Sequence, residues 1–185
     1  MMSKQTRSVL PLADILANRT WARRLWPFPH FFATHVFVDA FYRALEAEFF
    51  DVLNRGLADF NDPARLSRNM QNSDAYSWNF PPDIEGNLGL FYSADWYCLL
   101  AGITKVDCTV DVNGALHHHQ LHSRNGSIHR DLGVGWFSNQ PRPDGINPMD
   151  LRRCSYTDGM PGDEVAETRQ TVRAVSMIYY LANPK

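Results

Sequence analysis

The dipeptide Asn125-Gly126 restricts this chain more than any other feature. Asn-Gly accepts the positive φ angles that a tight chain reversal demands, and it is the strongest short-range signal for a β-hairpin. It closes the turn Ser123-Arg-Asn-Gly126 between two short runs, Ala115 to Leu121 and Ser127 to Leu132, which are predicted to lie side by side as antiparallel strands. Near the end of the second run stand His129 and Asp131. Residues i and i+2 of a strand share a face, so this imidazole and carboxylate can converge on one ion. They are the candidate metal ligands. The tripeptide alone is weak evidence, since a chain with seven His and 15 Asp in 185 residues holds roughly 0.6 such pairs by chance. Its position supplies the weight: a strand end followed by Gly133-Val-Gly135 suits a cavity mouth. The alternative is a hydrogen-bonded histidine beside a turn-forming aspartate.

Upstream the hydrophobic period is helical. Phe41, Leu45, Phe49 and Leu53 predict a core-facing helix that Asp39 caps and that stops at Gly56. A weaker apolar side (Leu12, Ile15, Leu16, Leu25) allows a helix over 12–25, after which Pro27 and Pro29 enforce extended chain. Ser93 is placed to cap a further helix that ends near Gly102. Residues 56–92 read as loop, punctuated by Asn, Asp, Gly and Pro81-Pro82. From Val106 the period becomes two: Val106, Cys108, Val110 and Val112 alternate with polar residues up to Gly114, the pattern of a half-buried strand. Residues 138–171 form a long polar connection, a candidate lid. Val172 to Leu181 reads as a buried strand.

A charge of −2, with 15 arginines dispersed among 20 acidic residues, gives no basis for a nucleic-acid or membrane partner. No run approaches the roughly 20 apolar residues needed to span a bilayer. Three cysteines without CxxC spacing, and no apolar leader at the amino terminus, point to a reducing, cytoplasmic setting. The row His117-His-His-Gln-Leu-His122 invites a zinc reading, yet alternation sends His117 and His119 to one face and His118 and His122 to the other, so neither face closes a zinc site.

The succession of hairpin, Ile128-His-Arg-Asp131, long loop and Arg173-Ala-Val-Ser-Met-Ile-Tyr-Tyr-Leu181 resembles the Fe(II)- and 2-oxoglutarate-dependent oxygenases of the prolyl 4-hydroxylase-like group, over about residues 91–181. Phe28-Pro-His-Phe-Phe is more weakly similar to the family's entry segment. The resemblance implies one α+β domain, with N-terminal helices packed on an incomplete double-stranded β-helix (jelly-roll) core. It would comprise an arm (1–26), a helical support (27–105) and the first part of the β-helix (106–185). His129 and Asp131 match the family's two iron ligands, and Tyr180 matches the tyrosine that hydrogen-bonds the distal carboxylate of 2-oxoglutarate. A plain buried aromatic is the other reading of Tyr180.

The family also uses a distal histidine and, about ten residues later, a basic anchor for 2-oxoglutarate, both on strands that follow the Tyr-Tyr strand. This sequence has no histidine after His129 and is expected to stop before those strands. The implied activity is hydroxylation of a small-molecule or peptidyl substrate, with Fe(II) as metal, 2-oxoglutarate as cosubstrate and a second chain as a candidate to complete the barrel. Weak iron binding and little turnover are expected of the chain alone. Two other readings stay open: a non-catalytic, cupin-like binding domain and a zinc protein built on His117 to His122.

Overall fold

The computed structural model describes residues 11–60, 62–68, 75–123, 133–162 and 167–181. The helical reading over 12–25 shrinks to one turn, α1 (Leu12–Ile15). The chain is diverted by pairing: Val36 O accepts from the Ala17 N–H at 2.9 Å, Ile15 O accepts from the Val38 N–H at 2.9 Å, and Asn18 Oδ1 accepts from its own neighbour Thr20 N–H at 2.8 Å. Such local side-chain bonds compete directly with helix propagation. An isolated ribbon follows, β1 (Ala22–Arg24) antiparallel to β2 (His30–Phe32).

α2 (Asp39–Leu53) matches its period: Phe41 and Leu45 are buried, and Phe49 and Leu53 pack on the same core. Val38, in extended conformation, is the N-cap rather than Asp39. Asp39 is instead the first helical residue, where its charge favours the positive end of the helix dipole. Gly56, at φ +87°, lies just beyond the helix end.

The stretch read as loop contains three short strands, β3 (Leu57–Ala58), β4 (Leu66–Arg68) and β5 (Ala75–Asn79). Next come a 3₁₀ turn (Leu88–Tyr92) and α3 (Ala94–Thr104). Ser93 caps α3 as predicted, its Oγ accepting from the Trp96 N–H at 3.2 Å, while left-handed Lys105 (φ 57°), not Gly102, closes it. Glu48 on α2 holds the start of the 3₁₀ turn, accepting from Asn87 N, Asn87 Nδ2 and Leu88 N at 2.7, 2.7 and 2.9 Å.

Of the predicted strand 106–113 only β6 (Asp111–Val112) pairs. Cys108 O is taken by the Tyr97 hydroxyl at 2.6 Å, which ties the preceding stretch to α3 instead of to a sheet. β7 (Ala115–His119) is the expected first strand of the hairpin. It pairs with β5 in register Tyr76↔His118 and, among the described residues, is the last strand of a sheet ordered β3-β4-β5-β7. The strand stops at His119, short of the expected Leu121, because the chain already turns there, the Ser123 N–H donating to Gln120 O at 3.0 Å with His122 at φ 62°; residues 124–132, with Asn125-Gly126 and the predicted second strand, lie outside the described residues.

β8 (Val134–Ser138), β9 (Asn147–Pro148) and β10 (Thr168–Val172) complete the fold. β8 and β10 are antiparallel, and β6 and β9 are parallel. The connection 138–171 is therefore partly built into the structure, with Ile146, Met149 and Cys154 buried. The buried strand expected from Val172 to Leu181 is not formed: β10 runs from Thr168 to Val172 against β8, Val172 is itself exposed, and after one more backbone bond, from the Arg173 N–H to Gly133 O at 3.0 Å, the described chain to Leu181 joins no strand. Within that stretch Ile178 is 69% exposed. The architecture is thus mixed α/β, with few helices and several small antiparallel and mixed sheets, and the described strands close no barrel. The main core gathers Ile15, Phe41, Leu45, Leu66, Trp78, Leu90 and Trp96 between α2, the four-stranded sheet and α3.

Candidate functional site

β7 leads out of the four-stranded sheet and β8 leads into the β8/β10 ribbon, so the connection bearing His129 and Asp131 joins two different sheets. Both residues lie outside the described residues. Tyr180 is described and is 82% exposed. Its neighbour Tyr179 is the one that enters the core, with ring centroids 5.2 Å from Phe37 and 6.4 Å from Phe91. Burial, with Tyr42 nearby, pushes the Tyr179 hydroxyl up to about 12. Tyr180 is consequently a solvent-facing phenol anchored by an inserted neighbour.

Behind this region lies a polar network that sequence reasoning missed. The Asp111 carboxylate on β6, its side chain 3% exposed, accepts from Arg169 Nη2 on β10 at 2.8 and 2.9 Å and from Asn147 Nδ2 on β9 at 2.6 Å. Asn147 Nδ2 also donates to Ser138 O on β8 at 2.8 Å. Three strands, β6, β9 and β10, meet at one buried carboxylate and Asn147 extends the network to β8, while among the described residues Arg169 Nε is buried without a partner. A polar residue at each of these strand positions was visible in the sequence, but nothing local signalled that they meet.

A cleft of about 300 Å³ lies beside the network, lined by Pro82, Asp83, Arg142, Pro148, Asp150, Arg152 and Arg153. Its cations are already engaged. Arg142 donates to Pro82 O and Tyr92 O, both at 2.8 Å, and to Asp144. Arg152 pairs with Asp150 at 2.9 Å, and Arg153 donates to Ser138 Oγ and Gln140 O. Burial alone would raise the Asp150 carboxyl, but the hydrogen bonds from Arg152, with the charges of Arg152 and Arg153, hold it below its usual range. The cleft acts as a set of loop clamps more than as an anion trap.

His117, His118 and His119 alternate along β7 as predicted, whereas His122 stands beyond the strand in a turn at φ 62° and is not placed by that alternation. Leu116 is buried, and the His118 ring lies 6.4 Å from that of Phe49 on α2. His117 and His119 therefore occupy the other face, and both are exposed. The His117 ring sits below the usual histidine range, first because the sheet partly desolvates it and then because His119 is close. Among the described residues, no three His, Cys, Asp or Glu side chains converge as a metal-binding group. No helix of the described residues is long and apolar enough to cross a membrane.

No family model, curated protein or solved structure matches this chain.

Proposed function

We propose that this chain is an oxygenase domain of the Fe(II)- and 2-oxoglutarate-dependent, prolyl 4-hydroxylase-like type, with a jelly-roll-derived core in a reducing, cytoplasmic setting. The observation that carries the reading is the order of its parts: strand β7, His129-x-Asp131, then Arg173 to Leu181 with its Tyr179-Tyr180 pair. The fold is compatible with it. The strand before the His-x-Asp segment packs one face on a helix-supported core, and the next described strand belongs to a second sheet.

The donor chemistry suits iron. One neutral imidazole and one carboxylate are the nitrogen and oxygen ligands that Fe(II) oxygenase sites use, and they leave coordination positions open. His129 and Asp131 would hold the ion. When bound, iron with 2-oxoglutarate and dioxygen supplies the oxidising chemistry that hydroxylates a C–H bond and converts 2-oxoglutarate to succinate. Tyr180, with its phenol in solvent, is free to swing its hydroxyl onto the far carboxylate of 2-oxoglutarate, and the burial of Tyr179 fixes the backbone from which it does so. The substrate would be a small molecule or a peptidyl side chain. A second polypeptide that adds strands would cover the exposed apolar residues Val172 and Ile178.

Anaerobic Fe(II) binding tests the ligand assignment. His129→Ala and Asp131→Ala are each expected to weaken Fe(II) at least tenfold, and equal binding by wild type and both variants contradicts it.

A further inference from the structure

We propose that the arm from Ile15 to Val38 docks the protein on an anionic lipid surface, its tip Leu25-Trp26-Pro27-Phe28 entering the membrane interface while Arg23 and Arg24 pair with the negative headgroups. The arm is anchored at its base. The Ala17 N–H donates to Val36 O and the Val38 N–H to Ile15 O, both at 2.9 Å, and Ile15, Val36 and Phe37 are buried in the main core. Further out Asn18 Nδ2 donates to Thr34 O at 2.7 Å, and among the described residues β1 then pairs with β2 alone. The tip leaves the core. Residues 23–29 are all exposed, with Trp26 at 85%, Leu25 at 66% and Phe28 at 64%. Large apolar side chains gathered at one place on a surface mark an interaction site, whereas single scattered ones do not.

Charge selects the partner. Between Ile15 and Val38 stand three arginines and no aspartate or glutamate, in a chain whose formal charge is −2, so the near-neutral composition conceals a locally positive arm. Arg142, Arg152 and Arg169 have acidic partners, but among the described residues Arg23 and Arg24 lie instead over rings of the opposite strand, at 6.0 Å from Phe31 and 5.3 Å from Phe32. The register puts Arg23 on one face of the ribbon and Arg24 on the other. Cations thus flank an apolar tip on both sides. That arrangement suits anionic lipid, where aromatic rings sit at headgroup level and each nearby arginine gains from the negative surface potential. Single-stranded nucleic acid fits less well, because stacked bases need open ring faces and guanidinium groups already cover a face of Phe31 and of Phe32. The docking is peripheral and reversible, since a few side chains at an interface hold far less firmly than a spanning helix.

Co-sedimentation of the full-length chain with phosphatidylcholine vesicles, with and without phosphatidylserine, tests this at low ionic strength. No iron or 2-oxoglutarate enters the assay, so its outcome is independent of the oxygenase reading. The expected result is binding to the phosphatidylserine vesicles that weakens as salt is raised, with little binding to phosphatidylcholine alone. Replacing both arginines, Arg23→Gln with Arg24→Gln, should weaken binding about 25-fold, roughly fivefold for each. Trp26→Ser should weaken it about tenfold, and Arg43→Gln, on α2, should leave it unchanged. A second readout needs no loss of binding: lipids brominated in their acyl chains should quench the tryptophan fluorescence of the wild type, and Trp26→Phe should still bind but lose most of that quenching. Sedimentation with neither vesicle, equal sedimentation with both, quenching that survives in Trp26→Phe, or tighter binding to a single-stranded oligonucleotide than to the phosphatidylserine vesicles overturns the proposal. Circular dichroism checks the fold of each variant, and the salt dependence and quenching of the wild type decide the matter if one is misfolded.

Discussion

Arg169→Ala removes the only cation that contacts the buried Asp111 carboxylate among the described residues, and its effect can be worked from the geometry. Asp111 keeps one bond, from Asn147 Nδ2 at 2.6 Å, and loses two charge-assisted contacts at 2.8 and 2.9 Å. Breaking a fully buried pair by deleting one partner costs about 3–5 kcal/mol, because the remaining charge stays buried and uncompensated. Here the carboxylate is buried but the Arg169 side chain is 38% exposed, so water can reach the vacated position and the cost falls to about 2–3 kcal/mol. Asp111→Asn should lose most of the same interaction. The double variant should then show a coupling energy of about 1.5–2.5 kcal/mol. Urea unfolding at neutral pH, with fluorescence as the signal, provides all four corners of the cycle. A coupling below about 0.5 kcal/mol would refute the view that this carboxylate holds β6, β9 and β10 together.

Three further outcomes follow from individual contacts. Glu48→Ala should destabilise the protein by about 2–4 kcal/mol in urea unfolding, since three hydrogen bonds end on that carboxylate, two of them from the backbone at the start of the 3₁₀ turn; Glu48→Gln should lose less, keeping Oε1. At Gly114 an added Cβ would stand 2.8 Å from Phe80 Cδ2 and 3.1 Å from Tyr92 Cε1, both in buried rings, so Gly114→Ala should cost about 1–3 kcal/mol and lower Tm, and an unchanged Tm would contradict the close approach. Asp150 is depressed relative to its unfolded value, so its contribution to stability is fully present above the unfolded pKa of about 3.8 and is lost as pH falls through the lower folded pKa. The stability gap between wild type and Asp150→Asn should therefore narrow between pH 5 and pH 2, and a constant gap would show that Arg152 and Arg153 do not favour the charged form.

The parts of the fold legible in the sequence were those whose signals are local. α2 follows from Phe41, Leu45, Phe49 and Leu53, and α3 from the Ser93 cap, because a helix satisfies its backbone within one segment and displays its period there. Strands need a partner, and the partner decides which residues count. The alternation from Val106 to Val112 is genuine, yet only Asp111 and Val112 meet a neighbouring strand. Conversely Leu57–Ala58 and Leu66–Arg68 are too short to show alternation, and they form a sheet because β5 and β7 provide a template.

Site residues divide in the same way. The facing of His117 and His119 could be read from period two alone. The Asp111, Asn147 and Arg169 cluster could not, since its members stand 36 and 58 positions apart in the chain. At the Tyr-Tyr pair the resemblance singled out Tyr180, with a plain buried aromatic as its other reading; packing against Phe37 and Phe91 makes Tyr179 the inserted ring, and Tyr180, left in solvent, is not a buried aromatic.

The central claim is that His129 and Asp131 hold iron beside a 2-oxoglutarate site that includes Tyr180. Its most direct test is an anaerobic Fe(II) titration in the presence of 2-oxoglutarate, following the weak visible charge-transfer band of the ternary complex in wild type, His129→Ala and Tyr180→Phe. The account predicts a band in wild type, its loss in His129→Ala, and a higher 2-oxoglutarate concentration for half-maximal absorbance in Tyr180→Phe. A wild-type protein that never develops the band, or a His129→Ala protein that develops it equally, would contradict the account.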